Sequence, residues 1–204
     1  MRKADLQRCC RQLIEEISEI NSRARLVRDA KRVLGRVPDK RWAYEALAVN
    51  AVTVWSTFAE EIFYASINRD SSVLAERLEL TLPKHLSLPL CEALFTTRGY
   101  LDFRGFGDLK DHARQNLGQH HLSTAILPAT ANGIEELMKV RNYIVHPGRV
   151  SRARYKTKVL EPHGVRRIIY PGAFLLARTA GKTRLERYLD AVEAAGKAIL
   201  ERLG

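Results

Sequence analysis

The sequence predicts an all-α fold: an up-and-down helical bundle with one small basic β-hairpin inserted before the last helix. Three observations carry this. Long segments repeat their apolar residues every three or four positions, Gly and Pro cluster in the gaps between them, and a single β-rich stretch runs from Arg152 to Tyr170. A length of 204 residues suits one domain with a continuous core.

The first helix is expected over about residues 4–34, where Leu6, Leu13, Ile17, Ile20, Ala24 and Val27 keep a helical period and Gly35 and Pro38 end it. Its other faces carry Arg8, Arg11, Arg23, Arg25 and Arg28, read as a solvated face rather than a binding surface. A second helix over about 40–67 stacks Tyr44, Leu47, Ala51, Trp55, Phe58, Ile62 and Ala65 on one side, a bundle-forming stripe. Beside that stripe, Asn50, Thr57 and Glu61 form a polar row, which is either the lining of a cleft or the ordinary edge between core and solvent.

Short helices are expected at about 73–80, 88–97 and 108–116. Between the last two, Tyr100, Phe103 and Phe106 lie among glycines and arginines, either as base-stacking rings or as a buried plug. His112, His120 and His121 read as surface or loop histidines.

Arg154, Lys156 and Lys158 alternate strictly, so on a strand they present three cations to one side. Val165–Tyr170 supplies the second strand, with Pro162-His163-Gly164 between. A last helix over about 183–203 starts at Thr183, with Glu186 three residues on to complete a capping box, and Gly196 permits close approach of a neighbour. Gly181-Lys182-Thr183 copies the tail of a phosphate-binding loop, but Leu176 stands where its first glycine is required. The chain thus divides into an N-terminal helix (1–39), a bundle core (40–150), a basic hairpin (151–172) and a C-terminal helix (173–204).

A net charge of +11 favours a polyanionic partner, nucleic acid first, an acidic protein or a membrane surface behind it. The sequence contains no apolar run of membrane-spanning length, and it opens on a charged amphipathic helix rather than a secretory signal, so a cytoplasmic protein is expected. Cys9, Cys10 and Cys91 have neither zinc nor disulfide spacing, and no metal or cofactor is expected.

One run reads as chemistry: Arg141-Asn142-Tyr143-Ile144-Val145-His146, stopped by Pro147 and Gly148. On a helix, Ile134, Leu137, Met138, Val140, Ile144 and Val145 share an apolar arc with Arg141 in its middle. A guanidinium cannot discard its charge, so that position demands a partner, a wet cleft or an anion. His146 can exchange a proton near neutral pH, and the following proline pushes it out of helical geometry. An arginine that holds phosphate and a histidine that moves protons suffice, in principle, to cleave RNA without metal.

This arrangement resembles the Rx4-6H motif of the HEPN superfamily over roughly residues 40 to 203, with the RiboL-PSP-HEPN group as one home within it. The resemblance implies a helical-bundle endoribonuclease of the toxin-antitoxin or defence type, with Arg141, Asn142 and His146 catalytic, a 2′,3′-cyclic phosphate product and no metal. It also implies a homodimer in which two motifs face a composite cleft, and allows for a cognate antitoxin. Glu61 is the first supporting candidate, to pair Arg141 or orient His146, with Asn50 and Thr57 beside it; Arg154, Lys156 and Lys158 are the expected RNA contacts. The alternative is a catalytically inactive helical module that binds RNA, a nucleotide or a protein.

Overall fold

The computed structural model describes residues 3–30, 37–96, 103 and 105–204. The first helix, expected to about residue 34, ends at Asp29, where Ala30 turns extended; Gly35 and the ring of Tyr100 lie outside the described residues.

Helix α1, Leu6–Asp29, begins where Asp5 accepts the Arg8 N–H at 3.0 Å, and it buries Leu6, Cys10, Leu13, Ile17, Ile20 and Ala24. That stripe packs against α2, Val37–Arg69, and against α9, Arg184–Leu203. Helix α2 runs through the middle of the molecule. Of the expected stripe, Tyr44, Ala51, Trp55, Phe58, Ile62 and Ala65 are buried and Leu47 partly so, and the burial extends beyond it to Ala48, Val52, Ala59, Phe63 and Ile67.

Helices α4 (Leu88–Thr96), α5 (Phe106–Leu117), α6 (Pro128–Val145) and α8 (Pro171–Leu176) pack against α2, while α3 (Ser72–Leu78) stands against α5 and α7 (Arg149–Tyr155) against α6. Two glycines set the spacing of the C-terminal helix. A Cβ on Gly196 would lie 3.1 Å from Leu13 and Ile14 of α1, and one on Gly133 of α6 would lie 2.9 Å from the Cβ of Ala191. Helix α9 therefore nests closely against both neighbours.

The start of α9 carries the expected capping box: Thr183 and Glu186 exchange side-chain and backbone hydrogen bonds. Glu186 does more than cap. At 2 % exposure its carboxylate also accepts from Arg28 Nη1 at 2.6 Å, which ties the end of α1 to the start of α9.

The fold is all-α with a small hairpin before the last helix, but the hairpin is not in 151–172. Strand β1 is Arg178–Thr179 and β2 is Lys182–Thr183, antiparallel, joined by Ala180 and Gly181 at φ +50° and +82°. Two successive positive φ values make the type of two-residue turn whose twist matches paired strands. The segment expected to form strands is helical instead: α7 passes into a π-helical turn, Lys156–Leu160, and a 3-10 turn, Glu161–His163. Tyr155, Val159 and Leu160 are all fully buried, at helical spacing. Burial of that set outweighs the modest strand preference of the individual residues. Glu136 of α6 anchors this segment, accepting from Tyr188 Oη at 2.8 Å and meeting His163 Nε2 at 2.9 Å through one carboxylate oxygen.

Phe103 and Phe106 are buried plugs, edge-on to Phe63 at 5.7 Å and tilted against Trp55 at 6.5 Å respectively. His121 lies in a loop, as expected, but is buried there, with Nδ1 held 2.5 Å from Ser123 Oγ. No helix among the described residues is long and apolar enough to cross a membrane.

Candidate functional site

The arc on α6 that contains Arg141 splits in two. Ile134, Leu137 and Val140 turn into the core, whereas Met138, Arg141, Asn142 and Val145 face a cleft of about 1300 Å³. Arg141 is therefore not a charge in the core but a half-buried guanidinium on the cleft wall. Its Nη1 donates to Asn142 Oδ1 at 3.1 Å, and its Nε is buried without a hydrogen-bond partner. Among the described residues no carboxylate lies within ion-pair distance of it. A desolvated donor without an acceptor is costly, and an anion placed in the cleft would relieve it.

His146 is the C-cap of α6, at φ −128° and ψ 74°, out of the helical region as the following proline requires. On an ideal helix a residue five places after Arg141 would point about 140° away from it. The broken last turn instead brings both residues to the same cleft of one chain. The His146 backbone is fixed at both ends: its N–H donates to the Asn142 carbonyl at 3.0 Å, and its carbonyl accepts from the Gly148 N–H at 2.7 Å and from the Ser151 hydroxyl. Its ring is exposed, and no hydrogen bond to it is seen among the described residues.

The floor of the cleft includes Val52 and Ser56 of α2, and one wall is the start of α5 at Gly105 and Gly107. Glu135 joins that wall to α6: it accepts the Gly107 N–H at 3.0 Å and pairs with Lys139 at 2.8 Å. Burial alone would push its carboxyl up, but the Lys139 and Gly107 hydrogen bonds hold it below its ordinary value. A Cβ on Gly105 would meet the Glu135 carboxylate, so a larger residue there would displace that side chain from its hydrogen bond to Gly107. The opposite rim carries Arg149, Arg154 and Lys158, none in an ion pair among the described residues, and the exposed apolar Val145 and Val150.

Of the expected site residues, Arg141, Asn142, His146, Arg154 and Lys158 thus line one cleft. Lys156 does not; it lies 3.9 Å from Glu161. Arg154 and Lys158 meet because they are four residues apart on helical backbone, and the residue between them points away.

The polar row on α2 is likewise elsewhere. Glu61 is nine residues from Val52, about half a turn around the helix, and Asn50 and Thr57 are each about a third of a turn or more from Val52 and Ser56. All three are exposed. Partial desolvation and the charges of Glu16 and Glu60 push the Glu61 carboxyl up, against a smaller opposing pull from Arg8. Within one chain Glu61 is therefore neither the partner of Arg141 nor the orienting group for His146. Sequence reasoning missed Glu135, Lys139, Arg149 and Ser151. The four-residue Glu135–Lys139 spacing was visible, but its contact with the start of α5 was not.

Among the described residues no three His, Cys, Asp or Glu side chains come together as a metal-ligand set. Comparison with protein-family profiles, curated proteins and solved structures gives no match for the chain.

Proposed function

We propose that the chain is a metal-independent endoribonuclease of the HEPN type that acts in the Arg141–His146 cleft. The observation that supports this reading best is the half-buried Arg141 guanidinium, which has a free buried Nε, no carboxylate partner among the described residues, and a proton-transfer residue in the same cleft. In the proposed reaction the ribose 2′-oxygen attacks the adjacent phosphorus and the P–O5′ bond breaks, leaving a 2′,3′-cyclic phosphate and a 5′-hydroxyl. His146 takes the 2′ proton or supplies the one that the departing 5′-oxygen needs. Arg141 stabilises the charge that builds on the phosphoryl oxygens, with Asn142 orienting the guanidinium through its 3.1 Å hydrogen bond. Arg154, Lys158 and Arg149 hold flanking phosphates, and Lys156 takes no part.

A toxin or defence role, a homodimer, a cognate antitoxin and a cytoplasmic setting belong to the same proposal. One observation favours the alternative of a binding module: no side chain among the described residues orients the His146 ring. The two readings separate on purified His146→Ala. If the chain is a nuclease, this variant keeps RNA affinity and loses turnover. If it is a binding module, the wild type has no turnover to lose.

A further inference from the structure

Trp42 and Tyr170 are 72 % and 76 % exposed, although large aromatic side chains are ordinarily well covered. They belong to one surface. Gly172 sits so tightly on the start of α2 that a Cβ there would be 2.3 Å from the Arg41 carbonyl oxygen, and its N–H donates to Glu45 Oε1 at 2.7 Å. Trp42 follows Arg41, and Tyr170 precedes Gly172 by two residues. Steps of 3.8 Å between Cα atoms therefore keep the two aromatic positions within about 15 Å of each other.

Cations outnumber carboxylates around them. Arg166 and Arg167 are exposed on the segment that leads to Tyr170, Arg41 immediately precedes Trp42, and none of the three is in an ion pair among the described residues. Of the carboxylates closest in sequence, Glu45 is engaged with Gly172 and Asp39 is exposed. Bases stack on such rings without regard to sequence, while the arginines meet the phosphates.

Trp42 is also on the same side of α2 as the cleft floor, with α8 seated between them at Glu45. On α2, Trp42, Glu45, Val49, Val52 and Ser56 follow one another at steps of three and four, within an arc of about 80°. Val52 and Ser56 belong to the cleft floor. Trp42 lies ten residues, or about 15 Å, further along the same helix face.

We infer that Trp42 and Tyr170, with Arg41, Arg166 and Arg167, form a stacking platform for single-stranded RNA that leads away from the cleft. This rests on the ribonuclease reading for the identity of the polymer. The platform makes a strand of several unpaired nucleotides a better ligand than a short one.

The test uses full-length protein and RNA oligomers methylated at every 2′-oxygen, which cannot supply the nucleophile, in lengths of three and twelve nucleotides. Binding is followed by anisotropy and by emission from the exposed Trp42. The twelve-mer is expected to quench that emission, and Trp42→Ala and Tyr170→Ala are each expected to weaken it by about fivefold or more, the floor for one lost base stack. The three-mer should bind both variants like the wild type. Equal twelve-mer affinity in the wild type and in both folded variants overturns the platform, as does absence of twelve-mer binding to the wild type. Variants that bind RNA normally but lose association with another protein assign the surface to a protein partner instead. Trp42-dependent binding by a protein that cuts no unmodified RNA would keep the platform and remove the ribonuclease reading; cleavage with Trp42-independent binding would do the reverse.

Discussion

Two arginines, Arg28 and Arg141, are both substantially removed from solvent, and they are treated in opposite ways. Arg28 sits against a 2 % exposed carboxylate at 2.6 Å and against Asp29 at 2.9 Å, so its charge is neutralised and its geometry holds α1 to α9. Arg141 has one neutral hydrogen-bond partner and a buried Nε with none. The first arrangement serves stability; on the proposed ribonuclease reading, the second reserves a charge for the RNA phosphate. Burial by itself therefore does not identify a functional arginine, and neither does an unpaired Nε: Arg184 also has one, but its guanidinium lies over the Phe174 ring and donates to the Phe174 carbonyl, whereas Arg141 opens on a cleft that it shares with His146.

The strongest way to sharpen the contrast is to remove each guanidinium. Arg141→Ala should reduce RNA cleavage by at least about a hundredfold, the scale for loss of one donor to a developing oxyanion, while circular dichroism and thermal midpoint stay native. A drop in stability matching the loss of activity would make Arg141 a structural residue like Arg28.

At the other end, Glu186→Ala should destabilise the protein by about 1–3 kcal/mol, because it removes the cap of α9 and the tie from Arg28 to α9 while Asp29 still pairs Arg28, with the cleft chemistry unchanged in the folded fraction. Denaturant titration measures this. Burial would raise the Glu186 carboxyl, yet hydrogen bonds from Thr183 and the neighbouring Arg28 hold it below its ordinary value. A depressed folded pKa gives stability that is fully present above the unfolded value, about 4.3, and is lost as the pH falls through the lower folded value. The acid limb of wild-type stability should therefore flatten in Glu186→Ala; an unchanged limb would place the acid sensitivity elsewhere.

A smaller effect is expected on the rim. Replacing Arg154 and Lys158 with Ser should flatten the dependence of log K on log salt by about 0.7 for each phosphate contact, so about 1.4 together, for a single-stranded RNA. Lys156→Ser, two residues away and facing Glu161, should leave the slope unchanged. Equal effects from all three would mean that the charge acts diffusely rather than through the cleft.

The same contrast explains what could be read in advance. The helices whose apolar residues repeat cleanly, α1, α2 and α9, were legible because one periodic stripe meets one partner, and the Thr183–Glu186 capping box is a local pattern. Arg141 and His146 were legible because a proline breaks the last turn between them and solvent. The segment from Arg154 to Tyr170 was not. Its alternating cations suggested a strand, whereas the informative residues were Tyr155, Val159 and Leu160, whose helical spacing acquires meaning only against Tyr143, Phe174 and the rest of the core. The true hairpin gave little signal, since its turn places Ala180 at φ +50°, a conformation more usual for Gly or Asn. Glu61 was misassigned because periodicity orders residues around α2 without saying which side will face the cleft.

The most direct measurement is the chemistry of the ends left when purified protein is incubated with RNA in excess chelator. The expected result is 2′,3′-cyclic phosphate and 5′-hydroxyl ends from the wild type, and none above background from folded Arg141→Ala. No cleavage by the wild type, ends of another kind, or equal yields from both proteins would contradict the assignment of Arg141 as a charge held open for RNA.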